Sequence, residues 1–118
     1  MESKELIDRC IQECEDRKAV DLLVYDVQGE SILADYYLFC NGNSDVHVRA
    51  IASNLEKNLK DDLGLLPKSQ EGKSESGWIL IDYADVLIHI FTPETRDYYN
   101  FEDLHENMSV YYRGEENF

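Results

Sequence analysis

The stretch from Gly77 to Phe91, Gly-Trp-Ile-Leu-Ile-Asp-Tyr-Ala-Asp-Val-Leu-Ile-His-Ile-Phe, constrains this chain more than any other. Two runs with the period of two expected of strands meet there across a short polar break, which is the pattern of a β-hairpin. With Tyr83 and Ala84 as the loop, the opposed pairs are Asp82 with Asp85, Ile81 with Val86, Leu80 with Leu87, Ile79 with Ile88, and Trp78 with His89. Opposed residues share a face of the sheet. One face then carries Ile79, Ile81, Val86, Ile88 and Ile90 and is core throughout. The other carries Trp78, Leu80, Asp82, Asp85, Leu87, His89 and Phe91, apolar at one end and doubly acidic at the other. That mixed face is the candidate for function, and a slip of one residue would undo the assignment.

The elements around the hairpin follow in order. Ser3 is placed to cap a first helix, with Leu6, Ile7, Cys10, Ile11 and Cys14 on one face at helical spacing. Asp21 to Val27 and Tyr36 to Cys40 read as strands. Asn43 or Ser44 caps a helix from about Asp45 to Asp62, whose buried stripe is Val48, Ile51, Ala52, Leu55 and Leu59. Lys68 to Ser76 is polar and reads as a mobile loop. Thr92-Pro93-Glu94 has the form of a helix start, with Tyr98 and Tyr99 on the helix and Phe101 and Leu104 packing beyond. Residues 105–118, charged from Tyr111 onward, are expected to fray. The order α-β-β-α-β-β-α predicts one α/β domain over 1–118, a mixed sheet flanked by helices. The strand–helix–strand passage from Tyr36–Cys40 to Trp78–Asp82 is expected to be a right-handed parallel crossover. The helices should cover the isoleucine face and leave the Trp78 face partly open.

Length and composition fit a globular chain: 118 residues, 43% hydrophobic and 11% aromatic. The formal net charge of -14 argues against DNA or an anionic membrane as partner and favours a basic protein surface. Residues 74–118 hold ten carboxylates against Arg96 and Arg113. By itself such an excess also describes a solvated, solubilising surface. No apolar run approaches the ~20 residues that span a bilayer, and the start has no signal-peptide or transit-peptide character. Three scattered cysteines suit a reducing compartment. A cytoplasmic location is the expectation.

Several constellations bear on chemistry. Cys10 and Cys14 are four apart, but no third or fourth metal ligand lies near them in sequence, and buried cysteine is ordinary core. Ser44, Cys40, His47 and His89 are the possible members of a nucleophilic triad, yet a loop and a helical turn separate Cys40 from His47. Gly42-Asn43-Ser44 at a helix start lacks the spaced glycines and lysine of a phosphate loop, and capping accounts for it. Asp82 and Asp85, if opposed, either share a divalent metal or belong to a solvated turn. Trp78 beside Leu80, Leu87 and Phe91 is either core or the centre of a binding surface, since the same face ends in two carboxylates.

Asp35-Tyr36-Tyr37-Leu38-Phe39, Gly42-Asn43-Ser44-Asp45, Glu71-Gly72, Gly77 to Tyr83, Asp85-Val86, His89-Ile90-Phe91 and Arg96-Asp97-Tyr98-Tyr99 resemble, in order and spacing, the ribosomal silencing factor (RsfS or Iojap-like) family. The resemblance runs from about Leu6 to Leu104. It implies a nucleotidyltransferase-like α/β fold without catalysis or cofactor. It also implies binding to the large ribosomal subunit through ribosomal protein fourteen, with steric block of subunit joining and repression of translation. It places the partner contact around Trp78, Asp82 and Asp85, on the mixed face derived above, so the expected partner-binding residues are these three with Leu80, Leu87 and His89 of the same face. An enzyme reading would instead make Asp82 and Asp85 the metal-binding pair of a nucleotidyltransferase. A homodimer through the same face is a further expectation. Ala84 stands where the family usually has Gly, so the turn is expected to avoid left-handed backbone there. His105 stands where Trp is common.

Overall fold

A computed structural model describes residues 1–100 and 107–114. The expected placements of Phe101, Leu104 and His105 lie outside those residues. Helix α1 spans Ser3–Asp16, α2 Asp45–Leu63 and α3 Pro93–Tyr99. The strands are β1 Val20–Asp26, β2 Tyr36–Asn41, β3 Ser69–Lys73, β4 Trp78–Asp82, β5 Val86–Phe91 and β6 Ser109–Arg113. They form one sheet in the order β3-β4-β5-β2-β1-β6. The fold is α/β with a mixed sheet, because β2 pairs parallel to β5 and every other pair is antiparallel.

Helices α1 and α2 lie on one face. Leu6, Ile7, Cys10 and Cys14 of α1 and Val48, Ile51, Leu55 and Leu59 of α2 pack with Val24, Leu38, Ile79, Ile81, Ile88 and Ile90 of the sheet. Glu13 is buried between the helices, where its carboxylate accepts from Arg9 Nε at 2.8 Å and from Asn58 Nδ2 at 2.6 Å. A buried carboxylate needs such partners to offset lost hydration. The cap readings divide. Ser44 Oγ accepts from the His47 amide at 3.2 Å, whereas Ser3 is already inside α1 and Thr92 makes no side-chain cap bond.

The hairpin forms with a different register. Observed pairs are Trp78 with Phe91, Ile79 with Ile90, Leu80 with His89, Ile81 with Ile88, and Asp82 with Leu87. The offset from the expected pairing is two residues, so each side chain keeps its face; a shift of one would have exchanged the faces. What is lost is the opposition of Asp82 and Asp85. Tyr83 N–H donates to Val86 O at 3.0 Å, leaving Ala84 and Asp85 at the tip. Ala84 has φ +71°, contrary to expectation, and Asp85 N–H donates to Tyr83 O across it at 2.9 Å. The chain accepts a left-handed alanine because the turn's hydrogen bonds, including Ala84 N–H to Asp82 Oδ1 at 2.7 Å, fix the backbone around it.

Three further expectations are corrected. The crossover from β2 through α2 leads to β4, but the parallel neighbour of β2 is β5, from Tyr36–Val86 to Asn41–Phe91; β4 runs antiparallel to β5. The segment read as a loop at Lys68–Ser76 contains β3, followed by a 3₁₀ turn at Ser74–Ser76. All five residues of β3 are exposed, so no apolar alternation marks it, and its backbone pairs with β4. The tail read as frayed holds β6, paired with β1. A register shift between Val24 and Tyr25 lets the consecutive Tyr111 and Tyr112 both reach α1, where their hydroxyls donate to Asp8 (2.6 Å) and Glu15. Their rings pack against the core while their hydroxyls stay polar, which a charge-based reading of the tail does not detect.

Left-handed backbone costs a residue with a Cβ about 1–2 kcal/mol. Ala84→Gly is therefore expected to raise the unfolding free energy by about 1 kcal/mol, measured by urea denaturation with an unchanged slope.

Candidate functional site

Alternation along β4 and β5 places Trp78, Leu80, Asp82, Leu87, His89 and Phe91 on the face away from α1 and α2. That face is divided. On the side of β1 and β2, Leu23, Tyr25, Tyr37 and Phe39 are buried, together with Phe91. On the side of β4, Trp78, Leu80, Asp82, Leu87 and His89 are only partly buried. Trp78 and Leu87 pack against the margin of this second cluster, so the indole is neither sealed beneath the two long helices nor isolated in solvent.

The aromatic groups are arranged as a row. The Phe39 and His89 rings stack at 4.9 Å, the direct consequence of their opposed positions in the parallel pair. Trp78 stacks on His89 at 5.9 Å and on Phe91 at 5.8 Å, and Tyr99 of α3 tilts over it at 5.3 Å. Trp78 Nε1–H donates to His89 Nδ1 at 3.2 Å, which makes Nδ1 the acceptor and leaves the imidazole proton on Nε2. The indole thus has its polar edge satisfied while the residue stays partly exposed, the amphipathic presentation that suits recognition.

Two features fix α3 against the sheet. Gly77 has φ +80°, and a Cβ there would stand 2.3 Å from Thr95 Oγ1 and 2.8 Å from Thr92 Oγ1. Arg96 is buried and its Nη1 donates to Asp21 O at 2.6 Å and Asn41 Oδ1 at 3.0 Å, locking the helix to the ends of β1 and β2. The sequence reading placed Tyr99 on this helix without joining it to Trp78. The signal is the exposed Tyr98-Tyr99 pair, which begins five residues after a helix start at Pro93 that follows β5 almost immediately.

The acidic end is built differently from expectation. Asp82 lies opposite Leu87 on one side and Ser69 on the other, and its Oδ1 closes its own turn on Ala84 N–H. Asp85 is exposed at the tip, and its carbonyl accepts from Asp35 N–H at 2.8 Å and Tyr36 N–H at 3.2 Å. The two carboxylates therefore share an end of the sheet without facing each other. Among the described residues, no group of three His, Cys, Asp or Glu is arranged to hold a metal.

The other candidates are absorbed by structure. His47 Nδ1 accepts from Asn43 N–H at 2.8 Å and Nε2 meets Arg17 O at 2.7 Å, so this imidazole ties the start of α2 to the end of α1. Cys10, Cys14 and Cys40 are buried and unbridged. Burial pushes the Cys10 thiol up to about 12, and a hydrogen bond with Cys40 together with burial raises Cys14 well above the ordinary thiol value. Such thiols are neither nucleophiles nor metal ligands at neutral pH.

The comparisons with known proteins agree on one family. The family described as "Ribosomal silencing factor during starvation" matches residues 1–117. The protein named ribosomal silencing factor RsfS of Bacillus subtilis is 41% identical over 104 residues, covering 88% of this chain and 87% of that protein. The mouse protein named "Mitochondrial assembly of ribosomal large subunit protein 1" is 31% identical, covering 83% of this chain and 44% of its own length. A crystal structure of a Chromobacterium violaceum protein superposes with a TM-score of 0.82 at 32% identity, covering 88% of this chain and 86% of that one.

Folded chain at pH 8 is expected to leave all three cysteines unreacted with an aromatic disulfide reagent, with all three reacting after denaturation. The unfolded state can ionise Cys10 and Cys14 while the folded state holds them protonated. Their contribution to stability is therefore complete below about pH 8.5 and declines as pH rises beyond it, which alkaline urea titrations measure.

Proposed function

The chain belongs to the ribosomal silencing factor family, and on that premise we propose that it docks on the large ribosomal subunit through ribosomal protein fourteen. The body of the domain then keeps the small subunit from joining, and translation is repressed by occlusion. The observation that carries this reading is the divided sheet face: a partly exposed Trp78, flanked by Leu80, Leu87 and His89, with Asp82 and Asp85 at one end. An aromatic anchor with a polar, charged margin is the usual anatomy of a protein docking centre. A chain of net charge -14 is matched to a basic surface, which speeds encounter, while the apolar contacts set the lifetime of the complex. No catalytic step is part of this reading. Asp82 is engaged in its own turn, and the residues at the start of α2 are engaged in capping. No helix of the described residues is long and apolar enough to cross a membrane.

Trp78→Ala is expected to weaken co-sedimentation with purified large subunits by at least ~2 kcal/mol, about 30-fold in affinity. Wild-type affinity in that variant removes the indole from the docking centre. The double change Asp82→Asn with Asp85→Asn is expected to weaken binding at low salt, with the deficit shrinking as salt rises. A deficit that does not depend on salt contradicts charge complementarity at this end.

A further inference from the structure

The loop between β1 and β2 displays two large apolar side chains that the fold does not use. Ile32 is fully exposed and Leu33 is 67% exposed. This is a constructed loop. Val27 N–H donates to Asp35 O at 2.9 Å, Glu30 and Ser31 N–H both donate to Val27 O, and Leu33 N–H donates to Ser31 Oγ at 3.0 Å. Its base is attached to the candidate site from two directions. Ser31 Oγ lies 2.7 Å from the hydroxyl of Tyr37, which pairs with Leu87, and Asp35 N–H donates to Asp85 O at 2.8 Å. Val27 and Ala34 pack in the same cluster as Tyr37, with Leu87 at its margin.

Ile32 and Leu33 therefore stand at the acidic end of the mixed face, continuous with it and held in place before any partner arrives. The chain around them is of one sign. Residues 26–36 and 82–86 carry Asp26, Glu30, Asp35, Asp82 and Asp85 and no lysine or arginine. We propose that this loop is a second anchor of the docking surface, seating Ile32 and Leu33 in an apolar recess of a basic protein surface whose cations meet the surrounding carboxylates. The inference rests on the reading of Trp78 as one end of that surface and adds the far end. The occupant follows from charge complementarity: the apolar pair selects a recess, and the five carboxylates select a cationic rim. Because the loop is already hydrogen-bonded, seating it requires little ordering, so burial of the pair translates into affinity.

The test uses the full chain and purified large ribosomal subunits, with Ile32→Ser plus Leu33→Ser compared with Trp78→Ala. Both loop positions are exposed, so the double variant should keep the wild-type unfolding midpoint, which verifies that any loss is local. Its affinity is expected to fall about tenfold, equivalent to 1.4 kcal/mol. Glu30→Lys, in a second variant, should weaken binding at low salt and approach wild type at high salt. Wild-type affinity in the double loop variant, with binding lost in Trp78→Ala, overturns the second anchor and leaves the proposed function standing. Loss in the loop variant with none in Trp78→Ala upholds the anchor and overturns the indole as docking centre. Failure of the unmodified chain to bind the subunits overturns both.

Discussion

The parallel pairing of β2 with β5 holds the rest of the molecule in its arrangement. Through it Tyr36, Leu38 and Cys40 face the same side as Val86, Ile88 and Ile90, where α1 and α2 close the larger core. The same register sets Tyr37 beside Leu87 and Phe39 beside His89 on the opposite side. Every other feature of the mixed face is reached from that seam. β4 brings Trp78 against Phe91, and α3, starting where β5 ends, brings Tyr99 over the indole. A single interstrand register thus fixes a compact interior and the position of the mixed face together.

The sequence revealed this division of faces because side-chain alternation survives any even shift. The hairpin closes with Ala84 and Asp85 at its tip instead of Tyr83 and Ala84, which shifts the pairing by two, yet Ile79, Ile81, Ile88 and Ile90 still point inward and Trp78, Leu80, Leu87 and His89 still point out. Closer detail depended on interactions that leave no periodic trace. β3 carries no buried side chain, so its five residues look like a loop until β4 offers its edge. β6 hides its value in two tyrosine hydroxyls that reach carboxylates about a hundred positions earlier, a contact that no local window contains. The alanine at φ +71° is stabilised by the turn around it, not by its own preference.

The acidic end shows how strongly geometry governs chemistry. Two aspartates three positions apart across a turn suggest a cation site. A shift of two in pairing is enough to separate them in role: one carboxylate binds a backbone amide of its own turn and the other projects from the tip. What remains is a region of negative potential beside exposed apolar groups, suited to adhesion and poorly suited to holding an ion.

The chain contains one tryptophan, and it lies within stacking distance of an imidazole that accepts its N–H. An imidazole in such contact can quench indole emission by accepting charge, so emission from this residue reports on the state of the surface. Any occupant that displaces Tyr99, dries the indole flank or breaks its bond to His89 changes colour and intensity without an attached dye. The molecule comes equipped to report its own encounters in real time.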